Sequence, residues 1–334
     1  MRPRSSPIRV SAPRTTPRPI PGRPGCRPTT PPRPDRGANC AAPCRIGTYA
    51  PYIGDTFPTR EEPSVSDHPV DLRTDVAHPA RMYDYFLGGK DHYEADRRAA
   101  ETALANFPAV RLTARTNREF MRTATRYLAE QGVRQFLDIG TGIPTEPNLH
   151  QVAQEHACES RVVYVDNDPI VLAHARALLV SAPEGRTTYV QADAADPEAI
   201  LGSRELRDTL DLSQPVAISL MAVVHFVPGD VYAMVNTLMD ALAPGSYLAM
   251  SHVTTDFDNG ANDPDGMGRL LQVYSDQGIP VRPRSRDEVA RFFDGLELVE
   301  PGVEVIHRWR QEGIEHPADH DKKVSLYGAV GKKV

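Results

Sequence analysis

Gln135-Phe-Leu-Asp-Ile-Gly-Thr-Gly-Ile-Pro144, followed by Arg161-Val-Val-Tyr-Val-Asp166, decides the fold of this 334-residue chain. An apolar run closing on an acid, then Gly-x-Gly, then a second apolar run ending in an acid about 25 residues later is the pattern of a nucleoside-binding α/β fold. Residues 134–139 read as a first buried strand, and Gly140 and Gly142 let the backbone turn sharply and approach a ligand without a Cβ in the way. A helix is expected over 146–155, with an acid and a proline in its first turn. Residues 162–165 read as a second strand. Asp166 at its carboxyl end suits a carboxylate that accepts from both ribose hydroxyls of an adenosine-bearing cofactor.

Asp138 separates the candidate cofactors. A dinucleotide must bring a pyrophosphate to the glycine turn, where a carboxylate two residues before the first glycine repels it. S-adenosylmethionine brings a cationic ammonium and sulfonium, for which the same carboxylate is an attraction. The third glycine of the dinucleotide fingerprint falls at Thr145 and is missing. The balance favours S-adenosylmethionine over NAD. Two further strands support a ligand rather than a bare turn. Residues 187–193 end in Asp193, a carboxylate suited to the adenine amino group. Residues 215–228 form a longer apolar run whose end carries His225 to the same crevice.

At this point the sequence resembles the S-adenosylmethionine-dependent methyltransferases of the Rossmann-like class. More narrowly, it is similar to a bacterial family described as S-adenosyl methyltransferase, formerly a domain of unknown function. The blocks that carry the narrower resemblance are His78-Pro-Ala-Arg-Met-Tyr-Asp-Tyr-Phe-Leu-Gly-Gly-Lys-Asp91, Asn117-Arg-Glu-Phe-Met-Arg122, residues 135–145, Tyr164-Val-Asp-Asn-Asp-Pro169, His225-Phe-Val-Pro228 and Pro244-Gly-Ser-Tyr-Leu. They recur in order from about residue 68 to the end. The resemblance implies a seven-stranded sheet with its last strand antiparallel, and cofactor binding at Asp138, Gly140, Gly142, Asp166 and Asp193. It supplies no methyl acceptor.

The rest of the chain fits a doubly wound, mostly parallel α/β fold. Helices are expected over 96–107, 112–131, 169–180, 230–242 and 263–278, a fifth strand over 246–253, and a capping box at Ser285–Glu288. Residues 302–310 and 324–330 read as an antiparallel closing pair around a polar loop at 316–323. The two helices before the first strand, with the stretch 81–91 that precedes them, are read as a helical lid over the cofactor mouth (68–132), ahead of a Rossmann-like core (133–334). Tyr83, Asp84, Tyr85 and Lys90 are the lid's candidate substrate-side residues. Ordinary helix packing followed by a turn explains them equally well.

Charge is divided unevenly along the chain. Residues 1–36 hold nine arginines, eleven prolines and one acid, a balance of +8; the whole chain is −6, so 37–334 carry −14. Such a segment buries too little to offset chain entropy, and 1–67 is expected to be a disordered tail and linker. Salt-dependent attachment to an acidic surface is one use for it; a dispensable extension from a start codon set too far upstream is the plainer reading. Nucleic acid is an unfavourable partner for the acidic remainder, which favours a small-molecule acceptor. No apolar run approaches the ~18 residues of a membrane helix and no signal-peptide pattern opens the chain, so a cytoplasmic protein is expected. Cys40 and Cys44 lack partners for a zinc site, and no metal is expected.

Methyl transfer from a sulfonium is an in-line displacement that positioning alone accelerates. Where the acceptor is a hydroxyl or a protonated amine, a base is needed, and His225 is the first candidate, His252 the second. Two alternatives stay open. A non-catalytic S-adenosylmethionine-binding protein keeps the same cofactor residues. An NAD(P)-dependent reductase shares the fold, but a Tyr-x-x-x-Lys pair after a strand is lacking and Asp138 opposes its cofactor.

Overall fold

The computed structural model describes residues 72–334 apart from 261, 262 and 312. The expected tail, the linker to residue 67 and the pair Cys40 and Cys44 lie outside the described residues. Three helices come first: α1 (Pro79–Leu87), α2 (Glu94–Asn106) and α3 (Val110–Glu130). Proline opens α1, where its missing N–H is no loss, and Gly88 closes it in the left-handed conformation with φ of 86°. In α3 the residues Phe120, Ala124 and Leu128, four apart, are all buried, so one stripe of the helix faces the core.

Strands and helices then alternate: β1 (Gln135–Ile139), α4 (Leu149–His156), β2 (Arg161–Asp166), α5 (Pro169–Leu178) and β3 (Arg186–Gln191). Next come α6 (Pro197–Gly202), α7 (Arg204–Thr209), β4 (Ala217–Met221), α8 (Val231–Asp240) and β5 (Tyr247–Val253). The chain closes with α9 (Met267–Asp276), α10 (Arg286–Ala290), β6 (Leu296–Leu298), β7 (Glu304–Val305), α11 (His320–Val324) and β8 (Leu326–Lys333). The strand order is β3-β2-β1-β4-β5-β8-β6, with β7 also against β8. Strands β1 to β5 are parallel, and β8 runs antiparallel to β5, β6 and β7. Every residue of β1 is buried, which is why it reads as an uninterrupted apolar run apart from its acid. The strand order reverses between β1 and β4, and a ligand crevice belongs at the carboxyl ends there.

The doubly wound, mostly parallel sheet is as expected, but it has eight strands rather than seven. The stretch 302–310 supplies only the two-residue β7, because Val305 to Trp309 turn away through bonds from Arg308 N to the Val305 carbonyl and from Trp309 N to the Ile306 carbonyl. Residues 296–298, unassigned in the sequence, take the edge instead. The polar stretch near 316–323 contains α11. Helix α4 starts three residues later than expected: Asn148 caps it in a capping box with Gln151 and also accepts from Thr145 N. Glu146 and Pro147 therefore precede the helix. The fourth strand ends at Met221, well short of residue 228. Ala222 then adopts φ of 54°, and a 3-10 turn over Val224–Phe226 carries His225.

Candidate active site at the carboxyl edge of the sheet

The turn after β1 is built for close approach. Gly140 and Gly142 have φ of 73° and 68°, a region L side chains avoid. A Cβ on Gly140 would come within 2.3 Å of Val223 Cγ2, whereas one on Gly142 would meet nothing within 4 Å. The first glycine lets the loop after β4 close against the turn; the second leaves space open. Both Gly140 N and Thr141 N donate to the Val165 carbonyl, and Gly142 N donates to Asp166 Oδ2 at 2.9 Å. The other oxygen of Asp166 accepts from Asp168 N at 3.0 Å, so the carboxylate is fixed while lone pairs remain on both oxygens.

Asp138 and Asp166 are 9% and 5% exposed, and both line one cavity, together with Gly140 and Gly142. Burial pushes each carboxyl up to about 6. Ser219, Arg118 and Thr141 oppose the rise at Asp138, while the backbone N–H groups of Asp168 and Gly142 oppose it at Asp166. The Arg118 guanidinium is engaged by the carbonyls of Thr145 and Pro147 at 2.5 and 2.8 Å. Two desolvated carboxylates in one cavity are poorly compensated in the protein alone, and a cation or a set of hydroxyl donors relieves them.

The remaining walls are largely apolar. Helix α1 supplies Ala80, Tyr83 and Phe86, α3 supplies Ala114, Asn117 and Met121, and α9 supplies Met267, Leu270 and Tyr274. A chain of hydrogen bonds holds α1 and α3 over the sheet. Tyr83 OH donates to the Ala114 carbonyl and accepts from Asn117 Nδ2. Ser251 Oγ in β5 donates to Asn117 Oδ1 at 2.6 Å and accepts from Ala222 N at 2.9 Å. Arg81 forms a second tie, pairing with Asp96 and with Asp168 at the start of α5.

His225 lines the cavity and is 6% exposed, with no hydrogen bond to its Nδ1. Burial, reinforced by His252 and Arg284, holds its imidazole well below the usual range, so the ring is uncharged at neutral pH. His252 faces elsewhere. Its Nε2 lies 2.8 Å from Arg284 Nη1 and its Nδ1 2.8 Å from the Val253 carbonyl, which leaves it no lone pair for a substrate.

The sequence-derived residues divide clearly. Asp138, Gly140, Gly142, Asp166, Tyr83 and His225 converge on the cavity. Asp193 does not reach its wall: β3 ends at Gln191, and the exposed Asp193 accepts from Ala195 N and from Asn167 Nδ2. Asp84 turns away to bond Asp91 N and His92 Nδ1, tying the end of α1 to the next loop. Tyr85 packs edge-on against His92, and Lys90 is exposed. Asn117, Arg118, Asn167 and Tyr274 were missed as wall residues. The first two lie in a quoted motif block, but helical spacing does not say which face meets a ligand.

A mostly parallel sheet with paired carboxylates at the ends of β1 and β2 makes this a Rossmann-like fold. Residues 65–334 match the model of the family described as S-adenosyl methyltransferase, and the chain belongs to that family. It is similar to a DUF574 family protein from Streptomyces avermitilis, with 49% identity over 79% of this chain and 100% of that one and a TM-score of 0.73. It is also similar to a putative methyltransferase from Thermobifida fusca, with 38% identity over 78% and 97% of the two chains and a TM-score of 0.71. Among curated proteins, none matches. The family makes the chain a methyltransferase and removes the reductase alternative. No described helix is long and apolar enough to cross a membrane.

Proposed function

We infer that the cavity binds S-adenosylmethionine between β1 and β2 and transfers its methyl group to a small, largely apolar acceptor. The observation that carries this reading is the pair Asp138 and Asp166, two buried carboxylates raised to about 6 at adjoining strand ends. Asp138 faces the cationic methionine end, where a positive charge offsets the desolvation that the folded chain imposes on it. Asp166, already oriented by Gly142 and Asp168, accepts from the ribose hydroxyls. Ala192 and Ala194 flank the adenine side, and Asp193 acts there through Asn167 rather than by direct contact.

The cofactor supplies an electrophilic methyl group on a sulfonium. The protein's part is positioning. Helices α1, α3 and α9 enclose the acceptor and exclude water, which assigns the N-terminal helices the role of a lid, with Tyr83 on its inner face. His225, neutral and on the cavity wall, takes the proton where the acceptor is a hydroxyl or protonated amine. The mostly apolar cavity and the acidic balance of residues 37–334 favour a small molecule over nucleic acid.

A labelled-methyl screen over fractionated cell extract tests this reading. Label should appear in a small-molecule fraction with the parent protein and not with Asp138→Asn. Label in nucleic acid, or none in any fraction despite tight S-adenosylmethionine binding, contradicts it; the second outcome makes the protein a binder without transferase activity.

A further inference from the structure

Far along the chain from the cavity-lining strand ends β1 and β2, three histidines converge. His307 follows β7, His316 lies in the exposed stretch between β7 and α11, and His320 opens α11. Their ring centroids are 4.4, 4.5 and 4.6 Å apart. One ligand atom from each lies within 4.8 Å of the others. His307 is 6% exposed, and neither of its ring nitrogens makes a hydrogen bond; His316 Nε2 is also buried and without one. Buried polar atoms of this kind are normally satisfied by protein, water or an ion.

We propose that His307, His316 and His320 bind one divalent transition-metal ion of the zinc class, which fastens the 306–320 segment to the start of α11. Imidazole nitrogens suit Zn²⁺, Co²⁺ and Ni²⁺ and are poor ligands for Mg²⁺ or Ca²⁺. Around a tetrahedral zinc with bonds of about 2.0–2.1 Å, ligand nitrogens lie about 3.3 Å apart, so modest side-chain rotations close the present separations. Asp321 Oδ1 lies 3.2 Å from His307 Nε2, and its other oxygen is held by Arg308 Nη2 at 2.6 Å. A small ring rotation would align that carboxylate with Nε2, the arrangement that fixes a ligating imidazole's tautomer, and leave Nδ1 of His307 for the ion.

Ile306 and Trp309 anchor the start of the segment in the core, but the stretch 313–319 has little to hold it. Gly313, Ile314 and Glu315 are exposed, and no apolar side chain of 313–319 is buried among the described residues. The expectation of no metal rested on the cysteines and did not use His316 and His320, which stand four apart, a spacing zinc ligands take.

The test uses the full chain prepared without a histidine tag and stripped with chelator. Calorimetric titration with Zn²⁺ and absorption spectra of the Co²⁺ form should give one site per chain, absent with Mg²⁺. His316→Ala and His320→Ala, both at partly exposed positions, should each weaken Zn²⁺ at least about 100-fold, since loss even of a partner outside the ligand set weakens metals about 10–100-fold. Thermal unfolding of the metal-free variants should match the metal-free parent. A parent that takes up no more Zn²⁺ than the doubly substituted His316→Ala, His320→Ala protein overturns the proposal. S-adenosylmethionine binding is measured separately, so failure of one inference is distinguishable from failure of the other.

Discussion

Gly142 donates its amide hydrogen to the Asp166 carboxylate at 2.9 Å, which locks the turn after β1 to the end of β2. The bond explains why a glycine turn and an acid 24 residues later belong to one pattern: the acid shapes the turn as well as lining the cavity. Asp166→Asn keeps the shape but sets an amide NH₂ against the N–H of either Gly142 or Asp168. The expected result is a loss of about 1–3 kcal/mol in stability, the usual consequence of a buried unsatisfied donor, together with weaker cofactor binding. Denaturant unfolding and calorimetry on the same variant measure both.

Asp138→Asn should separate stability from function. A carboxyl raised from 3.8 to about 6 disfavours its charged form by on the order of 3 kcal/mol at neutral pH. Its amide replacement should therefore leave the cofactor-free protein as stable or more so. Cofactor affinity should fall on the order of 100-fold, since a unit charge pair at about 4 Å is worth on the order of 4 kcal/mol at intermediate dielectric and relieved desolvation returns part of that. Lower stability with unchanged affinity would refute the role given to Asp138.

The same two groups set a pH dependence. Their folded pKa values lie above the unfolded value of 3.8, so the native state holds more protons, and cofactor-free stability falls as pH rises from about 4 through about 6. Cofactor affinity runs the other way, rising through about 6 as the carboxylates ionise, then levelling. His225 is held well below 6.5 and stays neutral through this window. His225→Gln should leave the affinity profile intact while lowering the methyl-transfer rate about 10²–10⁴-fold for an acceptor that must lose a proton, as read by single-turnover labelling.

Gly140 and Gly142 should differ under substitution although both have positive φ. Gly142→Ala meets only backbone strain of about 1–2 kcal/mol. Gly140→Ala adds a 2.3 Å approach to Val223 Cγ2 and should lower the melting temperature further. Equal shifts would mean that the loop after β4 yields freely.

The sheet and its ligand edge were legible in the sequence because buried parallel strands read as continuous apolar runs, and because positive-φ turns call for glycine. Asp138, Gly140, Gly142 and Asp166 follow from that local logic. Asp193 does not: two residues past a strand end, side-chain direction is set by the following turn, here its bond to Ala195 N. Asp84 was drawn in by sequence proximity to Tyr83, yet successive helical residues point to different faces, and only Tyr83 turns to the cavity. Ser251 and Asn117, 134 residues apart, carry no sequence signal that they would meet.

Calorimetric titration of the purified chain with S-adenosylmethionine, and in parallel with NADH, addresses the electrostatic selectivity of the glycine turn most directly. S-adenosylmethionine should bind at one site, more tightly as pH rises through about 6, and NADH should give no heat. Saturable NADH binding without any response to S-adenosylmethionine would contradict the account.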